Sequence, residues 1–220
     1  KKEIEELKKV FAWTEWLIHT GTTVIFTVTA VLIVPFVQVY TKGVNDADYV
    51  QVLFAVTFVF ANSLHCFRLP YNIMILAAGH YKETQNNYII ATIINVTISI
   101  FGVTKFGLVG VSLGAMLALG YQTIWMAWYN SRNFINWPLK SFYKQVLVDI
   151  LTALVIYIST SSITIDDTNY FSWFILAFKV FSIAVVCCAL VNYIFYKDKL
   201  LRVGCKLNNN FGLAKVRDLH

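Results

Sequence analysis

Six times along this chain an almost uncharged apolar run continues for about twenty residues. Crossing a hydrocarbon layer about 30 Å thick takes about 20 such residues. A soluble core does not need them. Only 14% of the residues are charged, while 58% are hydrophobic; soluble domains carry about 25% charge. The expected fold is an all-α integral membrane bundle of six transmembrane helices.

The six spans are read at about Thr14–Tyr40, Tyr49–Ala78, Asn87–Thr104, Gly107–Tyr129, Val146–Ser162 and Tyr170–Tyr196. The third and fourth are separated only by Lys105-Phe106-Gly107, which makes them a helical hairpin. Ahead of the first span, Ile4, Leu7 and Phe11 fall on one helical face, and Glu5 precedes Lys9 by one turn. That start is expected to lie along the membrane interface. The chain divides accordingly into a cytoplasmic amphipathic segment (1–13), a four-span part (14–133), a loop with two further spans (134–196) and a basic tail (197–220). It begins with Lys1-Lys2-Glu3, without methionine or a signal peptide, and is read as the C-terminal part of a longer protein.

Tyr and Trp gather near the span ends: Trp13, Trp16, Tyr40, Tyr49, Tyr81, Trp128, Tyr129, Trp137, Tyr170 and Tyr196, as in an interfacial aromatic belt. With both termini cytoplasmic, 14 of the Lys and Arg residues outside the spans fall on that side. Lys42 and Lys105 face the other, where the loops carry Asp46, Asp48, Asp166 and Asp167. Basic residues favour the cytoplasmic side, so this bias sets the expected orientation. It also accounts for the net charge of +6 without nucleic acid as a partner. Cys66, Cys187, Cys188 and Cys205 lack metal-site spacing and read as small apolar residues.

Polar residues inside the spans need a reason. Glu15, His19, Thr22 and Thr29 lie close to one face of the first span. Such a face turns to other helices or to a cavity, unless the hydroxyls bond their own helix. In the second span Asn62, His65, Arg68 and Asn72 form a polar stripe. Arg68 lies about ten residues from the cytoplasmic end, roughly 15 Å deep. An arginine at the bilayer centre costs at least about 2.5–3.5 kcal/mol, so it must face protein or water and find a partner. Pro70 is expected to kink the helix there. Two readings stay open for Arg68: an anion site, because guanidinium binds phosphate through paired hydrogen bonds, or an ion pair with Glu15 or Asp149 that locks helices. Asp149 itself reads as a wet interfacial acid, and Lys179 as a snorkelling surface residue. Gly110, Gly114 and Ala118 recur every four residues in the fourth span, a stripe that lets helices approach closely. The sequence holds no G-x-S-x-G, no H-E-x-x-H and no phosphate loop. Neither an enzyme, a metal site nor a cofactor is expected.

Residues 68–118, RLPYNIMILAAGHYKETQNNYIIATIINVTISIFGVTKFGLVGVSLGAMLA, carry a resemblance. The features are LAAGHYKET (Leu76–Thr84) closing one helix and opening the next, INV (Ile94–Val96), the turn KFGLVGVSLG (Lys105–Gly114) and the exit WYNSRN (Trp128–Asn133). In this order they resemble the polysaccharide exporter branch of the multidrug/oligosaccharidyl-lipid/polysaccharide superfamily, which includes Wzx-type O-antigen flippases. The resemblance implies the last six helices of a fourteen-helix transporter, working by alternating access with an N-terminal bundle outside this chain. It implies a lipid-linked oligosaccharide as substrate in the cytoplasmic (inner) membrane. Arg68 would contact the diphosphate or sugar acids, with His65, Asn72 and more weakly Asn62 and Asn95 beside it. Glu15 and His19 would serve as coupling or counter-ion groups. The alternatives are an ion-coupled multidrug exporter and a non-transporting scaffold of a glycan-assembly complex.

Overall fold

The computed structural model describes residues 2–44, 46–134, 138–163 and 168–217, with side chains from 3 to 197 within those ranges and at 199. All regular structure there is helical. The elements are α1 (Lys2–Tyr40), α2 (Val52–Phe67), α3 (Leu69–Ala77), α4 (Tyr81–Phe106), α5 (Leu108–Asn133), α6 (Leu139–Thr160) and α7 (Tyr170–Arg217). Counting α2 and α3 as one broken span, six helices among the described residues are long and apolar enough to cross a membrane. The chain is a multi-pass helical membrane protein.

Several helices run past the apolar runs. α1 continues without a break from its charged start into the first span. Glu5 there meets Lys8, at 3.8 Å, where Lys9 was expected. α4 begins at Tyr81 because Lys82, Glu83 and Gln85 are good helix formers although polar. α6 begins at Leu139, just after the extended Pro138 (φ −67°, ψ 121°). α7 extends to Arg217 through a break at Tyr196 (φ −137°, ψ 38°), so the basic tail as far as Arg217 is helical. Trp137, Asp166, Asp167 and residues 218–220, read as belt, outer loop and tail, lie outside the described residues.

α1 is the hub. It packs against α2, α3, α6 and α7, while α5 bridges α2 to α4. One apolar core joins Phe11, Tyr71, Ile75, Met126, Ala127 and Phe142; a second joins Val28, Leu32, Ile156, Leu176, Val180 and Ala184. α4 is the outlying helix and is seated almost wholly on α5. Gly110 lies directly on Gly102, and Gly114 lies on the backbone of Asn95 and Ser99. A Cβ at Gly110 would overlap the Gly102 backbone. The small-residue stripe is therefore the α4–α5 seam. Trp16 departs from the expected belt: it is buried and donates its indole N–H to Asn192 Oδ1 (2.8 Å), tying α1 to α7.

Candidate functional site

The second span breaks at Arg68. Pro70 has no N–H to return to the carbonyl one turn back, which weakens the ladder at this point. Arg68 caps both α2 and α3 with near-helical angles (φ −77°, ψ −16°), so the two pieces remain nearly continuous.

Arg68 is buried, 8% exposed. Its Nη1 donates to Gln122 Oε1 of α5, and its Nη2 lies 3.0 Å from His65 Nδ1. The guanidinium carbon sits 5.4 Å from the ring centre of Tyr88 on α4. The Tyr88 hydroxyl donates to Asn72 Oδ1 (3.2 Å). Arg68 Nε has no hydrogen-bond partner among the described residues. Neither expected ion pair forms: among the described residues Arg68 meets neutral groups only. Its charge is thus stabilised by dipoles and a ring face but is not cancelled. His65 is exposed and Asn72 half-buried beside it. Asn62 stands apart, exposed, with its amide donating to Phe58 O (2.8 Å). Asn95 accepts from Ser99 (3.1 Å) near the α4–α5 seam.

A second polar cluster lies where α1, α3 and α6 meet. His19 is fully buried, with Nδ1 2.6 Å from Asp149 Oδ2. Gln145 donates to Asp149 Oδ1 (3.2 Å). The Tyr71 hydroxyl donates to Glu15 Oε1. The His19 ring stacks on Phe67 (4.7 Å, 18°) and meets Tyr71 and Phe142 edge-on. Asp149, expected to be wet, is 6% exposed. A cleft of about 510 Å³ between α1, α2, α5 and α6 reaches both Asp149 and Thr23; its walls are otherwise largely apolar. The intrahelical alternative holds for Thr29, which donates to Ile25 O (2.8 Å), whereas the Thr20 and Thr23 hydroxyls have no hydrogen-bond partner among the described residues.

Above this cluster the continuation of α7 folds over α1. Lys199 donates to Ala12 O (3.0 Å) and lies 5.9 and 5.0 Å from the rings of Trp16 and Tyr196. Burial pulls its ammonium below the ordinary lysine value; the Glu15 carboxylate pulls it up and Lys144 pushes it down.

The structure therefore groups Arg68, His65 and Asn72 on one side of the broken span, and Glu15 with His19 on another. Gln122, Tyr88, Tyr71 and Gln145 are partners that sequence reading did not single out. Gln122 was visible as an amide in an apolar span, next to a glycine stripe that drew the attention. Tyr88 and Tyr71 carry no such signal, because tyrosines recur throughout the chain. These features define a class, a polytopic helical membrane protein with two internal polar clusters. Neither a family model, a curated protein nor a solved structure matches the chain.

Proposed function

We propose that this chain is the C-terminal part of a transporter that flips a lipid-diphosphate-linked oligosaccharide across the cytoplasmic membrane by alternating access. Its spans would be the last six of fourteen, with both ends of the chain cytoplasmic. The observation that carries this reading is Arg68: a buried guanidinium with neutral partners and a free Nε, flanked by His65, Asn72 and Tyr88. Guanidinium is planar and always charged, and it meets phosphate oxygens in pairs. A diphosphate passing this face would supply the missing counter-charge. The resemblance over residues 68–133 and the positive-inside bias support the same reading.

The test uses the full-length parent gene in a bacterium lacking its own flippase. Surface polysaccharide is compared for wild type and Arg68→Ala at matched protein level. Wild type restores the polymer and Arg68→Ala does not. Restoration by both would remove Arg68 from the site, and restoration by neither would turn the reading toward the exporter or scaffold alternatives. A reporter fused after His220 is active only in the cytoplasm if the orientation holds.

A further inference from the structure

We infer that Lys144, Lys197 and Lys199, set around Tyr196, bind the phosphate of an anionic phospholipid where the last span leaves the membrane. The site shares no residue with the Arg68 group, so the inference stands whatever Arg68 binds.

The end of the last span sets the cations in place. Lys197 closes that span, and α7 breaks at Tyr196 (φ −137°, ψ 38°). Just past the break Lys199 reaches α1 and donates to Ala12 O (3.0 Å). Lys144 arrives from α6. The ammoniums of Lys144 and Lys199 lie 4.8 and 5.0 Å from the centre of the one Tyr196 ring. Lys199 also lies 5.9 Å from the Trp16 ring, and Lys197 lies 5.7 Å from the Tyr193 ring.

Three cations are thus gathered with aromatic rings as their common partners. The ion pairs among the described residues are Lys8 with Glu5 and His19 with Asp149, and these three lysines enter neither. Like charges drawn to one ring repel each other. Burial first, and then Lys144, hold the Lys199 ammonium below the ordinary lysine value against the pull of Glu15. In neutral detergent no lipid phosphate offsets the push from Lys144; in an anionic bilayer one does. A phosphodiester carries one negative charge shared by two free oxygens, and each oxygen can take a proton from an ammonium. An ammonium has three protons to give, and Lys199 gives one of them to Ala12 O.

The apolar surroundings make the source of that phosphate a lipid. Lys197 heads a stripe with Ile194 and Leu190 at helical spacing, and Lys144 heads one with Leu147 and Leu151. All four apolar residues are exposed. A headgroup on the lysines lays its acyl chains along these stripes. A choline or ethanolamine headgroup brings its own cation to the lysines, whereas a glycerol headgroup does not. Lys and Arg clustered at the end of a span attract anionic headgroups, and Trp and Tyr settle at that depth.

The test uses the full-length protein in neutral detergent. Phosphatidylglycerol, phosphatidylcholine and inorganic phosphate are titrated in turn, and native mass spectrometry counts the molecules that stay bound. Phosphatidylglycerol binds more tightly than phosphatidylcholine, and inorganic phosphate does not displace it. Lys144→Gln and Lys199→Gln each lower its affinity about fivefold. Lys144→Arg keeps the affinity, and so does Lys105→Gln, which removes a cation from the turn between α4 and α5. Equal affinity for the two lipids overturns the inference. So does phosphatidylglycerol binding that is unchanged when Lys144→Gln and Lys199→Gln are combined, or that falls as far in Lys105→Gln or Lys144→Arg. Displacement by inorganic phosphate overturns the lipid as the ligand.

Discussion

The two polar clusters lie on either side of one broken helix, and they solve opposite problems. Around Arg68 a single cation is buried among neutral groups, near exposed or half-buried polar side chains. Around His19 two carboxylates and an imidazole are buried deeply and bonded by near neighbours. Burying a charge costs several kcal/mol unless partners repay it. The acid cluster is bonded mainly from within the chain, with His19 Nε2 alone of its atoms among the unpartnered ones in the described residues. The arginine is met by neutral dipoles and a ring face, which stabilise its charge only in part. The comparison separates a cluster bonded mainly within itself from a cation met only by neutral groups among the described residues.

The comparison breaks first at Asp149. Asp149→Leu leaves the buried His19 Nδ1 and the Gln145 amide without their acceptor and is expected to cost about 1–3 kcal/mol for each orphaned group. Adding His19→Leu removes the imidazole as well and recovers the part of that loss due to His19, leaving only the Gln145 amide unpaired. Denaturant unfolding of the full-length protein in detergent measures both. A double mutant as unstable as the single one would show that the pair does not act as a self-contained unit.

Gly110→Leu probes the other side. Its side chain would overlap the Gly102 backbone and push α4 from α5. Overpacking of this kind costs about 1–3 kcal/mol. Because α4 brings Tyr88 to Arg68, the change should weaken the export proposed above while leaving the stability loss of Asp149→Leu unchanged. If that loss shrinks in the Gly110→Leu background, the clusters are not separable.

Arg68→Met should lower stability by about 1–2 kcal/mol, through the Gln122 amide left unpaired. That loss is smaller than the loss for Asp149→Leu, because one buried group is orphaned where Asp149→Leu orphans two. Export, by contrast, should fall to background, and Arg68→Lys should not rescue it if paired hydrogen bonds matter. Stability loss equal to that of Asp149→Leu would make Arg68 a structural residue after all.

Much of this fold is legible in the sequence because the bilayer imposes length and hydropathy on each span. Six runs, the break beside Pro70 and the packing role of Gly110 and Gly114 all follow from local rules. Helix ends were less legible, since Tyr81 to Asn86 and Leu139 to Gln145 are polar enough to read as loop yet helical by propensity. Pairing was legible least. Nothing in the spacing of Glu15, Arg68 and Asp149 says that Asp149 meets His19 while Arg68 turns to Gln122. That choice is made by which helix faces α1 and which faces α5, a property of the packed bundle.

The smallest effect concerns Lys199, which extends the acid cluster toward the surface. Lys199→Met keeps the apolar stem but loses the bond to Ala12 O and the contacts with Trp16 and Tyr196. A cation–ring contact at a partly exposed site contributes about 0.5–1 kcal/mol, so global stability should barely change. Docking of the α7 continuation is the sharper readout, followed by protease protection of the chain beyond Tyr196. Burial holds the docked ammonium below the ordinary lysine value. The undocked lysine therefore keeps its proton to higher pH than the docked one. Between those two values the undocked form binds more protons, so docking strengthens as pH rises through that window. Lys199→Met should abolish this alkaline strengthening. Protection that instead falls with pH would mean that the attraction to Glu15 outweighs burial, and the acid cluster would then reach the membrane surface through Lys199 and no longer be self-contained.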